Sequence, residues 1–85
     1  MTIVGPEGRV AVLGGEADSR PKNEALKAVE AFDVQHDQWT ALPSMVVGRH
    51  TGGAMVTGLT MIAAAGVGKM GGSPLLTDTE AWTGA

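Results

Sequence analysis

The chain contains no cysteine and very few aromatic residues. The absence of cysteine excludes a disulfide framework, a thiolate zinc site and a cysteine nucleophile. It is compatible with a reducing compartment, and no signal peptide is visible at the N-terminus, so we expect a cytoplasmic protein. Aromatic residues make up only 4% of the 85 residues. A self-contained domain of this size usually needs more large apolar side chains, a disulfide or a structural metal.

Basic charge and long apolar segments are also scarce. The chain has 6 Lys and Arg against 9 Asp and Glu, a net charge of −3, which argues against the concentrated basic surface that nucleic-acid binding needs. The longest weakly polar run, Leu59 to Val67, is far shorter than the ~20 residues of a membrane span. We therefore expect neither a nucleic acid nor a membrane as a partner.

Glycine, by contrast, is abundant, with 13 Gly and 4 Pro in the chain. This density favours short strands joined by tight turns, because each Gly inside a helix costs roughly 1 kcal/mol relative to Ala. The pattern predicts strands over residues 2–4, 9–13, 39–42, 51–57 and 60–65, with a further strand beginning at residues 79–82. Two long loops are predicted over residues 16–23 and 67–78.

The segment from Asn23 to His36 is locally ambiguous. Asn23 is a suitable helix N-cap, and Leu26, Val29 and Phe32 recur at a spacing of three. Propensity alone therefore favours a helix. Helix propensity is a weak guide when a repeat is present, and a repeat predicts a strand in the second half of this segment.

Two stretches of the sequence resemble each other. Val29-Glu30-Ala31-Phe32 and Thr79-Glu80-Ala81-Trp82 both read x-Glu-Ala-aromatic and lie about 50 positions apart. Each follows an apolar strand that ends in small residues, Gly14-Gly15 in the first unit and Ala65-Gly66 in the second. A period near 50 with paired glycines is typical of a four-stranded propeller blade of the Kelch type.

The residues that carry this pattern make the chain resemble the Kelch-repeat family. A Kelch repeat has a glycine pair closing its second strand, a Glu and an aromatic on the third, a Trp opening the fourth, and an Arg after an apolar-Pro stretch. The sequence departs from the pattern at the second glycine pair and at Trp82, where Tyr or Phe is usual. The matching positions are Gly14, Gly15, Glu30, Phe32, Trp39 and Arg49, with Gly66, Glu80 and Trp82 in a weaker second copy.

The resemblance implies an all-β fold of antiparallel four-stranded propeller blades. Residues 1–45 would form one Kelch-like blade and residues 46–85 a partial second blade. Since propellers close with roughly 4–8 blades, we expect either a fragment of a longer Kelch protein or a protomer that completes a ring by self-association. In the family the aromatic residues pack between blades, so Phe32 and Trp39 are expected to provide much of the burial, and Arg49 a structural role.

The same resemblance implies a scaffold for protein–protein interaction, as in substrate receptors and adaptors, rather than an enzyme. Partners of the family dock on loops at one end of the ring, including those that join second to third strands. The candidate partner-binding residues are Glu16, Asp18, Arg20 and Lys22 in the first long loop and Lys69 in the second. We expect no catalytic residue, metal or cofactor, and the protein partner is not specified by the sequence.

Two alternatives remain open at the sequence level. A sugar-processing Kelch-propeller enzyme would place Arg49 or His50 near a central pocket. A small α/β nucleotide-binding domain would use Gly66, Gly68 and Gly71, which match the dinucleotide fingerprint in form. That mechanism needs a helix opening at the third glycine, and a helix over residues 24–34 as well, whereas the residues after Gly71 disfavour a helix.

Overall fold

Seven short strands make up the extended structure in the part of the chain that the computed structural model describes, residues 1–18 and 20–83. A short 3-10 turn, Pro6–Gly8, joins the first two strands. The strands are β1 (Thr2–Val4), β2 (Val10–Leu13), β3 (Val29–Asp33), β4 (Gln38–Leu42), β5 (Gly53–Thr57), β6 (Thr60–Ala64) and β7 (Thr79–Thr83).

The first four strands form one antiparallel sheet in the order β1-β2-β3-β4. Each strand pairs with its neighbour in sequence, and the register places Phe32 opposite Trp39. Side chains alternate between the two faces of a strand, and in β3 Val29 and Ala31 are buried whereas Glu30 is exposed. This alternation decides which face of the sheet belongs to the core.

The last three strands form a second antiparallel sheet in the order β5-β6-β7. Gly58 has a φ of +58° at the tight turn between β5 and β6, a conformation that glycine adopts without steric cost. Within the described residues this sheet has no fourth strand. The prediction of an all-β fold, with one four-stranded blade followed by an incomplete one, is confirmed; the boundary between residues 45 and 46 stays a prediction.

One hydrophobic core lies between the two sheets. Each sheet contributes the buried side chains of one face, and sheets with one apolar face are stable only when that face is covered. The cluster contains Ala11, Leu13, Val29, Ala31, Leu42 and Met45 from the first sheet and the segment just after β4, and Met61 and Ala63 from the second sheet.

The ambiguous segment, residues 23–36, forms no helix: β3 spans Val29–Asp33, and residues 34–36 lie in the turn that follows it. Residues before β3 make contacts with the second long loop, since Glu24 bridges to Lys69 and the Ala25 N–H donates to Gly68. Pairing of β3 with β2 and β4 on both sides outweighs the local helix propensity. The α/β alternative is therefore wrong, because residues 24–34 form no helix and none follows Gly71 within the described residues. In the described residues, no helix is long and apolar enough to cross a membrane.

Candidate functional site

All the long connections lie at one end of the two sheets, which we name the loop end. It consists of residues 14–18 and 20–28, the strap 43–52 between the sheets, and residues 65–78. The short turns 5–9, 34–37 and 58–59 lie at the opposite end, the turn end, because successive connections in an antiparallel meander alternate between ends. The predicted partner-binding residues Glu16, Asp18, Arg20, Lys22 and Lys69 all belong to the loop end.

The two long loops are joined by backbone hydrogen bonds. The Ala25 N–H donates to the Gly68 carbonyl at 2.9 Å, and the Met70 N–H donates to the Asn23 carbonyl at 2.7 Å. Backbone groups that are paired in this way hold their positions without help from solvent. The loops from the two sheets therefore form one continuous surface rather than two separate ones.

His50, which lies in the strap, contacts both long loops. Its side chain is buried, and Nε2 lies 2.8 Å from the carbonyl oxygen of Lys69 and 3.1 Å from a carboxylate oxygen of Glu16. Since both neighbours are acceptors, Nε2 carries the proton in this arrangement. The same Glu16 oxygen accepts a hydrogen bond from the Gly71 N–H at 3.1 Å. Glu16, predicted as a partner-binding residue, is thus bonded within the chain.

The other predicted loop residues remain at the surface. Arg20 donates from Nε to Asp18 at 2.9 Å, and its Nη2 lies 2.8 Å from the second carboxylate oxygen. Exposed ion pairs of this kind contribute only about 0–1 kcal/mol to stability. Lys22 and Lys69 are also exposed.

Arg49 is fully buried at the junction of the two sheets. Its Nη1 donates to the Ala65 carbonyl at 3.0 Å, and its Nη2 lies 2.8 Å from carboxylate oxygens of both Asp78 and Glu80. Burial lowers the pKa of Arg49, but the bonds to the two carboxylates outweigh this effect and raise the pKa overall. Arg49 therefore holds the structure together and is not accessible to a sugar substrate.

Glu80 ties β7 to the strap as well as to Arg49. Its two carboxylate oxygens accept hydrogen bonds from the Val46 N–H at 2.7 Å and the Val47 N–H at 3.1 Å. Burial raises the pKa of Glu80, but these bonds and Arg49 together hold the pKa below its usual range. The bond from Arg49 likewise lowers the pKa of Asp78. Both carboxylates are thus stabilised in their ionised form.

The signature glycines lie where the chain passes closely against the strap. Gly14 has a φ of +63°, and a side chain there would overlap the carbonyl oxygen of Arg49. The N–H of Gly15 donates to that same oxygen at 3.0 Å. Gly66, with a φ of +88°, lies in the same way against the carbonyl of His50. These contacts explain why small residues stand at the ends of β2 and β6.

The aromatic residues of the first sheet form a pair on its outer face. The ring centroids of Phe32 and Trp39 are 5.0 Å apart, but Trp39 is 57% exposed. The expectation that these two residues provide much of the burial is therefore wrong within this chain, because their face points away from the second sheet. Trp82 packs against the core instead, and its Nε1 donates to the Pro43 carbonyl at 3.0 Å. Glu30 is exposed on the same outer face.

Arg49 and His50, which the sugar-processing alternative would use, are both buried and bonded within the chain. The Gly66–Gly71 stretch opens no helix that could hold a pyrophosphate. No group of three or more His, Asp or Glu within residues 1–18 and 20–83 is placed to hold a metal ion.

Two contacts at the loop end are not foreseen from the sequence. Asp78 shares Arg49 with Glu80, but the equivalent position of the first unit is Ala28, so the repeat gives no signal for it. The contact between Glu16 and His50 joins residues 34 positions apart, and neither belongs to the repeat pattern.

Comparison with known families agrees with this geometry. The family model of the Kelch motif matches residues 2–46, more than half of the chain. No curated protein matches the sequence. The matched region begins with β1 and ends after β4, at the residues whose N–H groups Glu80 binds. The chain belongs to the Kelch-repeat family and forms a segment of a Kelch-type β-propeller.

Proposed function

We propose that this segment takes part in a protein–protein interaction through the loop end, as a scaffold within a larger assembly such as a substrate receptor or adaptor. The observation that carries the proposal is the joining of the two long loops into one surface by the bonds from Ala25 and Met70. A surface with a fixed backbone loses little conformational entropy when a partner binds.

The exposed charges of this surface favour a charged protein segment as the partner. Asp18, Arg20, Lys22 and Lys69 are all exposed, and complementary charges at a rim provide specificity and faster association. The pairing of Asp18 with Arg20 is exposed and weak, so exchange of either group for one of the partner costs little. Glu16 acts indirectly, because its contacts with His50 and Gly71 hold the two loops together.

Site-specific photo-crosslinking tests this proposal in the cells that produce the protein. A photoreactive residue at Lys22 should capture a protein, whereas the same residue at Gln35 in the turn end serves as the matched control. The Arg20→Ala and Lys22→Ala substitutions, combined with the photoreactive residue at Lys69, should reduce capture without changing the circular dichroism spectrum. Equal capture from both ends, or capture that is unaffected by the substitutions, would rule the loop end out as the binding surface.

A further inference from the structure

A carboxylate of the chain itself occupies a site between the strap and the second long loop. The carboxylate belongs to Glu16, whose oxygen Oε2 accepts a hydrogen bond from the Gly71 N–H at 3.1 Å and lies 3.1 Å from Nε2 of His50. We name the Gly71 N–H and the His50 Nε2–H together the carboxylate site. Both groups are donors, and donors that meet at one oxygen favour an anion over a cation.

Backbone bonds that do not involve this carboxylate keep the carboxylate site in place. The backbone N–H of His50 donates to the Val67 carbonyl at 3.1 Å, and the Val67 N–H donates back at 2.9 Å. One residue before Gly71, the Met70 N–H donates to the Asn23 carbonyl at 2.7 Å. Paired backbone groups hold their positions, so the site is formed before any carboxylate enters it.

Glu16 is held less firmly than Glu80, a second carboxylate near the loop end. Charge-assisted hydrogen bonds to carboxylates are typically about 2.7–2.9 Å long. Glu80 accepts bonds of 2.7 Å from Val46 and 2.8 Å from Arg49, and its side chain is 15% exposed. Both contacts of Glu16 are 3.1 Å long, and its side chain is 48% exposed. The contacts of Glu16 are therefore long and reachable from solvent.

We propose that the carboxylate site binds an acidic side chain of the partner protein, and that Glu16 occupies the site as an internal competitor. This inference rests on the proposed function, because it names the chemistry of the partner at the loop end. Glu16 follows Gly15, whose N–H and carbonyl are bonded to Arg49 and Leu26. The Glu16 side chain can thus leave by rotation about its own bonds while the backbone stays. The incoming carboxylate then takes over the same contacts and keeps the loops joined.

The charges around the carboxylate site favour an acidic segment. Lys69 lies two residues before Gly71, and Arg20 and Lys22 lie in the loop that carries Glu16; all three basic side chains are exposed. Cations at the rim of a site attract an acidic segment and speed its association. The present occupant also reaches the site on a side chain, so the site accepts a carboxylate of that form.

Acetate tests the carboxylate site without a partner. Glu16→Ala, at an exposed position, empties the site, and Asp18→Ala is the matched control because it removes a carboxylate of the same loop that bonds to Arg20. Sodium acetate is titrated at constant ionic strength while the Gly71 amide signal is followed by NMR. Glu16→Ala should bind acetate about tenfold more tightly than the unaltered chain or the control, because no internal carboxylate must leave first.

Two peptides distinguish a side-chain carboxylate from a chain terminus. N-acetyl-Gly-Glu-Gly-amide carries its carboxylate on a side chain, whereas N-acetyl-Gly-Gly-Gly carries it at the C-terminus. The first peptide should bind Glu16→Ala more tightly. Tighter binding of the second peptide would overturn the assignment to an acidic side chain, and a Gly71 signal that shows no saturable shift with acetate in Glu16→Ala would overturn the site itself.

Capture of the partner separates this inference from the proposed function. With the photoreactive residue at Lys22, Glu16→Ala should increase the amount of captured protein, since the competitor is gone. If nothing is captured at the loop end, the proposed function fails, but the acetate titration still reports on the site. If Glu16→Ala reduces capture and speeds hydrogen exchange of the Met70 amide, Glu16 is only a structural brace between the loops and the inference is wrong.

Discussion

The guanidinium group of Arg49 lies 2.8 Å from the carboxylate of Glu80, which follows 31 positions later in the chain. Arg49 lies in the strap that leaves the first sheet, and Glu80 lies in the last strand of the second sheet. The contact therefore joins the two sheets at the loop end, where the same carboxylate also accepts hydrogen bonds from the strap. A buried arginine with paired acceptors fixes the position of three chain segments at once.

Arg49→Met should strongly destabilise the chain. The substitution leaves Glu80, whose side chain is 15% exposed, without its cation, and breaking a buried pair in this way costs roughly 3–5 kcal/mol. Urea denaturation followed by circular dichroism measures the loss. Arg20→Met, which breaks an exposed pair, is the control and should cost at most about 1 kcal/mol. Equal effects of the two substitutions would contradict the central role of Arg49.

The stability of the chain should fall in acid. The pKa values of Asp78 and Glu80 are lowered in the folded state, and that of Asp33 is lowered by its hydrogen bond to His36. As the pH falls, the unfolded chain therefore binds protons at a higher pH than the folded chain, because its Asp and Glu carboxyls have pKa values of about 3.9 and 4.3. The stabilisation that these ionised carboxylates provide is therefore fully present above about pH 5. It is lost as the pH falls through 4 towards their lower pKa values in the folded state.

Glu80→Gln isolates the share of this pH dependence that Glu80 contributes. The amide oxygen can still accept one of the two hydrogen bonds from the strap, but the side chain has no charge to titrate. The free energy of unfolding, measured by urea denaturation between pH 3 and 7, should fall less steeply in the variant than in the unaltered chain. Identical acid dependence in both proteins would show that Glu80 does not carry the effect.

Gly14→Ala should be more harmful than Gly8→Ala, although both positions have positive φ. At Gly14 a methyl group would overlap the carbonyl oxygen of Arg49, whereas at Gly8 nothing lies within 4 Å. The left-handed conformation alone costs roughly 1–2 kcal/mol for a residue other than glycine, and Gly14→Ala adds the displacement of the strap. Thermal unfolding of the two variants compares these costs, and equal melting temperatures would show that the close approach is unimportant.

Trp39→Ala should destabilise a single chain less than Leu13→Ala. Leu13 is fully buried in the core, whereas Trp39 is 57% exposed. Removing a buried leucine costs roughly 2–5 kcal/mol, but much of the tryptophan surface has no protein contact to lose. The comparison is made by urea denaturation at a concentration where the chain is monomeric. A larger loss for Trp39→Ala would mean that the aromatic pair is central to the stability of the monomer.

Much of the fold could be predicted from the sequence because its signals are local. Glycine pairs end strands, and the Glu-Ala-aromatic repeat assigns β3 and β7. The repeat predicts a strand within residues 23–36 although helix propensity alone favours a helix there. The same pattern recurs about 50 positions later in a segment with little helix propensity. The placement of Arg49 at a structural junction was expected from the family pattern.

The tertiary structure alone decided which of the matching residues are buried. Phe32 and Trp82 occupy equivalent positions of the repeat, yet only Trp82 packs against the core, because the second sheet covers one face of the first sheet and not the other. Arg49 pairs with Asp78, and Glu16 pairs with His50, only because the loops of the two sheets lie against each other. The position of a strand depends on residues that are close in sequence. These contacts depend instead on how two sheets stack, and the periodicity of the sequence does not specify that arrangement.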